Sequence, residues 1–212
     1  MSNLCNNTEY IIGPENELTT LKKKLDKWNK TDKLYDILIN SGIGTKTQNN
    51  QILNTKGNPY EYYGVINDPF ELYKHPKVGQ AISFSSLTSY RPMPEMWHDI
   101  LRKHAPNCHY LYSSAEPGTN LYHSNDTEHK IFQDEYIIDH FFYKEEEVPE
   151  KVRELFKDID SPYDHTKKEA MKIIQSLLEK PNNNITEIEL EFGNKNYIFI
   201  TPYEFERDEN QL

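Results

Sequence analysis

The segment that spans residues 82–120 predicts a strand, a helix and a second strand in direct succession. Ile82 and Phe84 alternate with serines, which is the two-residue period of a strand with one buried face. Pro94 suits the first turn of the following helix. Residues 108–113 alternate again and predict the second strand. Because the helix has to bury its apolar stripe against the strands, this segment restricts the chain to a layered fold of helices on a sheet.

Strands and helices are also indicated on both sides of this segment. Residues 4–12 predict a strand, and the apolar residues after Pro14 recur at spacings of three and four, which predicts an amphipathic helix. Beyond the segment, residues 120–143 predict a hairpin. Near the C-terminus, a helix is indicated over residues 164–180 and a hairpin over residues 188–201.

Residues 41–80 form the least regular part of the sequence. They contain five glycines and three prolines, a composition typical of turns and loops. We expect short and irregular elements here, with residues 68–72 as a single helical turn.

Together these elements predict an α+β fold, namely a ferredoxin-like antiparallel sheet with helices on one face. The predicted domain covers residues 1–145 and includes an irregular insertion at residues 41–80. Residues 146–212 are predicted to add a C-terminal extension, made of a helix and a β-hairpin and packed on the same domain.

The chain is acidic, with a formal net charge of −10. Tight non-specific binding to nucleic acid needs clustered Lys and Arg, so direct nucleic-acid binding is disfavoured, whereas a basic partner protein is compatible with this charge. No apolar run approaches the ~20 residues that span a bilayer, and no signal peptide is evident. Cys5 and Cys108 do not form a disulfide framework, and we expect a cytoplasmic protein with reduced thiols.

Two segments of the chain, residues 1–14 and residues 82–118, resemble a known family. The residues that carry the resemblance are Asn3, Cys5, Asn7, Gly13 and Pro14 in the first segment and Phe84, Pro92, Pro94, Glu116, Pro117 and Gly118 in the second. Their pattern is similar to that of the YubB-like ferredoxin-like family of bacterial phages and plasmids. The family's Asn-Trp-Gly-Thr-Lys-Trp motif is reduced here to Gly-Thr-Lys at residues 44–46, and the C-terminal third is unmatched. The resemblance implies a ferredoxin-like fold and a mobile-element origin, and it implies no particular activity.

The chain offers only scattered candidates for chemistry. Its eight histidines have no recognised zinc spacing, and the sequence predicts neither a metal site nor a cofactor. A nucleophilic Cys108 would need activation by His104 or His109, whereas a strand cysteine is usually a small buried apolar residue. His98, His109 and Glu116 lie near the ends of predicted strands, and they are the candidate catalytic residues of a polar cleft. This cleft is the basis of the alternative function, an RNA- or nucleotide-processing or binding protein.

Two acidic clusters are the main candidates for a binding surface. One is a run of consecutive glutamates at the boundary between the predicted domain and the C-terminal extension, and the other occupies every second position in the first strand of the last predicted hairpin. Their members are Glu145, Glu146 and Glu147 in the run and Glu187, Glu189 and Glu191 in the hairpin. Glutamates at alternate strand positions stand roughly 6.6–7 Å apart, close to the spacing of phosphates along a nucleic-acid strand.

These features lead us to expect a non-catalytic interaction protein of a mobile genetic element, rather than an enzyme. Its partner would be a host protein or complex that handles nucleic acid, inhibited as an act of antidefence through the acidic surfaces. Trp97 and Tyr122 are expected to supply the aromatic contacts that anchor such interfaces.

Overall fold

The structure is a computed structural model of the whole chain. It describes residues 4–49, 51–54, 56–59, 64–89, 92–116, 121–133, 136–140, 150, 153, 163–165, 168, 170, 172 and 198–205.

The chain divides into two compact units. The first contains Met1–Phe132 and Glu204–Leu212, and the second contains Gln133–Tyr203. The first unit therefore consists of two separate stretches of sequence, with the second unit inserted between them. The boundary predicted from the sequence, between residues 145 and 146, lies outside the described residues.

The first unit holds three helices and most of the strands. In chain order its elements are β1 (Leu4–Ile12), α1 (Glu15–Trp28), α2 (Leu34–Asn40), β2 (Thr45–Lys46), β3 (Ile52–Leu53), β4 (Gly64–His75), β5 (Gly79–Ser89), α3 (Pro94–His104), β6 (His109–Glu116) and β7 (Leu121–Ser124). The described strands of the second unit are β8 (Tyr136–His140), β9 (Tyr163–His165) and β10 (Ile198–Pro202). The chain then returns to the first unit with β11 (Glu204–Phe205).

Six strands of the first unit form one sheet in the order β11-β7-β6-β1-β5-β4. The central strand β1 pairs antiparallel with β5 and β6, so that Tyr10 lies opposite Ser83 on one side and Leu111 on the other. Strands β4 and β7 continue the antiparallel pairing on the two sides. Only β11 joins the sheet in parallel, beside β7. The prediction of an α+β fold with an antiparallel sheet is confirmed.

One face of this sheet carries the main core. Residues of all three helices join Ile11 of β1 and alternate residues of β5 and β6 in a single apolar cluster. Leu18, Leu21 and Leu25 of α1 are completely buried, as their spacing predicts. Trp97 of α3 is also completely buried, and its ring centroid lies 4.6 Å from that of Phe84 in β5. The apolar spacing in α1 and α3 therefore places both helices on the same face of the sheet.

The opposite face of the sheet is covered in part by the loop that follows β7. Ile12 and Leu111 are buried there, and Phe132 packs on Tyr10 with the two ring centroids 5.5 Å apart. Asp126 shapes the loop, because its carboxylate accepts hydrogen bonds from three backbone N–H groups. The donors are Lys130 at 2.9 Å, Ile131 at 2.7 Å and Phe132 at 2.9 Å. One buried carboxylate thus holds the loop that carries Phe132 over the sheet.

The turn that follows α2 is tied to α3 by basic side chains. His104 Nε2 lies 2.9 Å from the carbonyl oxygen of Ser41, and Lys103 Nζ donates to the carbonyl oxygen of Gly42 at 2.9 Å. Burial lowers the pKa of His104, the bond to Ser41 raises it, and the charges of Lys24 and Lys103 lower it further. A neutral ring with its proton on Nε2 fits these contacts. The carbonyl groups of the two residues that follow α2 are therefore satisfied by α3.

The expectation of an irregular insertion at residues 41–80 is wrong for its second half. Residues 64–75 form β4, a full strand of the main sheet, and the helical turn expected at residues 68–72 lies within it. The register of β4 against β5 shifts near Asp68 and again before Glu71. These irregularities accommodate Pro69, which interrupts the local strand pattern. Because β4 is an edge strand, the backbone N–H that proline lacks is not required for pairing with a further strand.

The expectation of a hairpin over residues 120–143 is also wrong. Strand β7 pairs with β6, whereas β8 pairs with β9 and β10 in the three-stranded sheet of the second unit. Ile131, expected in a strand, lies in the loop that Asp126 holds. Asp164, expected at the start of a helix, belongs to β9. The apolar stripe of that helix and the first strand of the last hairpin lie outside the described residues.

Candidate functional site

A row of buried polar side chains lies on the helix-covered face of β1. Cys5, Asn7 and Glu9 occupy alternate positions and are each 2% exposed or less. In a half-buried strand these positions are normally apolar. The row therefore has to be satisfied by polar partners from the neighbouring strands and from α3.

Glu9 is held by two donors that lie far away in the sequence. Its Oε1 accepts a hydrogen bond from Tyr110 Oη at 2.6 Å and one from Trp97 Nε1 at 3.0 Å. Its Oε2 is buried and makes no hydrogen bond to a described residue. The Ser86 hydroxyl interacts with the carboxyl group without forming a standard hydrogen bond to Oε2.

Burial raises the pKa of Glu9 from its ordinary value of 4.5 to about 7, and the interactions with Ser86, Tyr110 and Trp97 offset only part of this effect. Burial also raises the pKa of Tyr110 well above its ordinary value, and the Glu9 charge adds to the shift. The favoured state at acidic pH is a neutral carboxyl group, whose Oε1 accepts from both rings while Oε2 carries the proton. Glu9 is thus a buried acid that titrates near neutral pH.

Asn7 is satisfied entirely inside the sheet. Its amide nitrogen donates to the Thr88 hydroxyl at 2.9 Å and to the Ser86 hydroxyl at 3.1 Å, both in β5. Cys5 Sγ lies 3.4 Å from the Asn7 side-chain oxygen. The polar groups of the row therefore satisfy one another and join β1 to β5.

Both cysteines are buried and free, as a strand cysteine usually is. Burial raises the pKa of Cys108 to about 12, and the charge of Glu17 adds to the shift. A nucleophilic thiol needs a lowered pKa. The alternative that His104 or His109 activates Cys108 stays a prediction, which this raised pKa does not support.

An apolar pocket of about 410 Å³ lies at the end of the sheet where β1 and β4 begin and β5 ends. We call it the sheet-end pocket. Its lining residues are Leu4, Lys33, Leu34, Tyr35, Leu38, Gly64, Val65, Leu87, Ser89 and Met93. This volume and this mostly apolar lining are typical of small-molecule sites, which measure ~300–1,000 Å³.

The wall of the sheet-end pocket between α2 and β4 is tightly packed. A Cβ atom on Gly64 would stand 2.6 Å from Leu34 Cδ1 and 2.8 Å from Thr88 Cγ2. Only a glycine lets α2 approach the sheet this closely. The opposite rim is open, because Leu4 is 45% exposed and Val65 is 40% exposed.

The predicted catalytic residues are not all brought together. His98 packs edge-on against Tyr110, with ring centroids 5.9 Å apart on the helix-covered face of the sheet. Glu116 is buried on the same face of β6 as Tyr110. His109 is exposed and, by the alternation of β6, lies on the opposite face from Glu116. This arrangement does not support a single cleft formed by the three side chains. The cleft stays a prediction.

The predicted binding residues fall into two groups. Trp97 and Tyr122 are 0% and 3% exposed, so neither ring is presented at the surface of the described structure. The acidic residues Glu145, Glu146, Glu147, Glu187, Glu189 and Glu191 lie outside the described residues. Their part in binding stays a prediction.

The described residues contain no group of three or more His, Cys, Asp or Glu side chains placed to hold a metal ion. Within the same part of the chain, no helix is both long and apolar enough to cross a membrane.

Comparison of the chain with protein-family models, with curated proteins and with solved structures found no match. The resemblance to the YubB-like family stays a prediction.

Sequence reasoning missed both Glu9 and the sheet-end pocket. The sequence gives one indication that Glu9 is buried, because Glu9 and Ile11 lie on the same face of a strand and Ile11 is apolar. It gives no indication of the pocket, because the lining residues come from five separated segments of the chain.

Proposed function

We propose that this protein is a non-catalytic binding protein and that the sheet-end pocket is its binding site. The observation that carries this proposal is the pocket itself, whose rim holds both large apolar side chains that are strongly exposed in the described residues, Leu4 and Val65. Exposing such side chains beside a cavity costs solvation free energy that a bound apolar group would recover.

The polar groups nearby favour binding over catalysis. The lining residues include no carboxylate, imidazole or thiol. The carboxyl group of Glu9, in the adjacent polar row, is already engaged, since it accepts from Tyr110 and Trp97. The proposed site therefore offers an apolar surface and few groups able to transfer a proton.

Titration with octanol, followed by NMR of the side-chain methyl groups, tests this proposal. We expect shifts confined to Leu4, Leu34, Leu38, Val65 and Leu87. The double variant Leu4→Gln/Val65→Thr should weaken binding on the order of tenfold, because it removes apolar contact area from the rim.

Glu71→Gln is the matched control, because Glu71 is an exposed residue of β4 outside the pocket lining. It should leave the octanol affinity unchanged. Absence of methyl shifts, or shifts spread over the whole surface, would overturn the proposal.

A second proposal follows from charge and concerns the partner. We propose that the glutamates at 145–147 and 187–191 bind a basic groove of a host protein that handles nucleic acid, as their spacing and the net charge of −10 favour. Purification of tagged protein from host lysate should recover a partner that the variant Glu187→Lys/Glu189→Lys/Glu191→Lys loses. If the triple variant recovers the partner as well as the unmodified protein does, this second proposal is wrong.

We further propose that the main sheet belongs to the ferredoxin-like class, as the YubB-like resemblance implies. The succession β1, α1 with α2, β4, β5, α3 and β6 supports this, together with the spatial order β6-β1-β5-β4. Backbone NOEs from β1 to both β5 and β6 are the expected NMR result, and NOEs from β1 to β4 would contradict it.

A further inference from the structure

The sheet-end pocket has one formally charged residue in its lining, Lys33. The Lys33 ammonium lies 5.6 Å from the centroid of the Tyr35 ring, which lines the same pocket. A cation held over an aromatic face is attracted by the ring electrons. The contact keeps the charge beside the pocket.

The backbone that carries Lys33 is fixed to the sheet. Lys33 forms an isolated bridge with Val65, and the carbonyl oxygen of Asp32 accepts a hydrogen bond from the Ile66 N–H at 2.6 Å. Both contacts tie the connection before α2 to the first residues of β4. The backbone position from which the charged side chain extends is therefore fixed before any ligand arrives, which lowers part of the entropic cost of binding.

Lys33 has no carboxylate partner among the described residues, although the chain has 34 acidic and 24 basic residues. Some other cations of the described part are engaged, since Lys22 pairs with Asp26 at 2.6 Å and Lys103 donates to the carbonyl oxygen of Gly42. In an acidic protein, a cation beside an apolar pocket complements an anion.

We propose that the sheet-end pocket binds a small amphiphile with an apolar body and a carboxylate head group, and that Lys33 contacts the head group. This inference rests on the proposed binding function. The apolar lining accepts the body, and the hydroxyl-bearing residues Tyr35 and Ser89 surround the site together with Lys33. We assign a small molecule rather than a protein surface, because about 410 Å³ lies within the ~300–1,000 Å³ of small-molecule sites, whereas a stable protein interface extends over at least ~1,200 Å².

Octanoate and octanol test the proposal, since they share one apolar chain and differ in the head group. Methyl NMR titrations of the full chain at low salt give both affinities. We expect octanoate to bind about fivefold more tightly than octanol, the scale of one solvent-exposed ion pair. The preference should shrink when ionic strength rises from ~0.01 M to ~1 M.

The variant Lys33→Met removes the charge and keeps the length of the side chain. It should abolish the preference, so that octanoate and octanol bind this variant with equal affinity. Lys30→Met is the matched control, because Lys30 is an exposed lysine three positions earlier and outside the pocket lining. It should retain the full preference for octanoate.

The outcomes separate this inference from the proposed function. If both probes bind equally in the unmodified protein, or if Lys33→Met retains the preference, the inference fails while the binding function stands. If neither probe shifts the pocket methyl groups, both fail. If a short peptide that ends in leucine binds more tightly than octanoate, the small-molecule assignment is overturned in favour of a peptide.

Discussion

Replacing Glu9 with glutamine is expected to stabilise the protein at pH 8 by about 3 kcal/mol and to have little effect near pH 4.5. The Glu9 carboxyl has a pKa of about 7 in the fold against an ordinary value of 4.5. Between these values the folded protein keeps a proton that the unfolded chain has lost, so stability falls as pH rises. A shift of this size corresponds to about 3 kcal/mol at 1.36 kcal/mol per unit.

Glutamine suits the comparison because its oxygen can still accept from Tyr110 and Trp97, and it carries no charge. Urea unfolding at pH 5, 6, 7 and 8 would give the difference in unfolding free energy between the two proteins. The control is Glu71→Gln, whose difference from the unmodified protein should stay constant over this range. A constant difference for Glu9→Gln would show that the buried carboxyl does not titrate in this window.

The second large effect is expected for Asp126→Ala, which should destabilise the first unit by on the order of 4 kcal/mol. The substitution removes the acceptor of three backbone N–H groups, those of Lys130, Ile131 and Phe132. Hydrogen bonds to charged groups each contribute about 1.5–3 kcal/mol, and donors left without a partner keep part of their desolvation cost. The loop would also release Phe132 from Tyr10.

Glu128→Ala provides a control within the same loop. Its side chain is 71% exposed and pairs with Lys130 at the surface, so its loss should change stability by less than about 0.5 kcal/mol. Urea unfolding gives both values. Amide hydrogen exchange at residues 130–132 should accelerate in Asp126→Ala and not in Glu128→Ala. Equal stabilities of the two variants would rule out the proposed anchoring.

Elements with a strong local pattern were predictable from the sequence. The spacing of Leu18, Leu21 and Leu25 predicts α1, and the alternation of residues 108–113 predicts the strand β6. Strand β4 was not predictable in this way, because Pro69 is locally unfavourable in a strand. Its conformation depends on pairing with β5, which local propensity does not report.

The candidate site was less predictable than the fold for a similar reason. Glu9 meets Trp97 and Tyr110 across separations of 88 and 101 residues. A glutamate in a strand is usually solvated, and only those two remote rings make its burial tolerable. The sequence predicts a hairpin in the region of the loop after β7. The hydrogen bonds from backbone N–H groups to Asp126 that shape this loop have no signature in the sequence beyond the aspartate itself.

The parallel strand β11 has a consequence for synthesis on the ribosome. Glu204 lies opposite His123, yet it is translated 81 residues later. At ~5–20 residues per second, this gap corresponds to roughly 4–16 s, during which the outer side of β7 has no strand beside it in the nascent chain. Exposed strand edges pair readily with other chains. The described sheet therefore reaches its full width only after Glu204 and Phe205 have left the exit tunnel, and the growing chain is most prone to self-association before then.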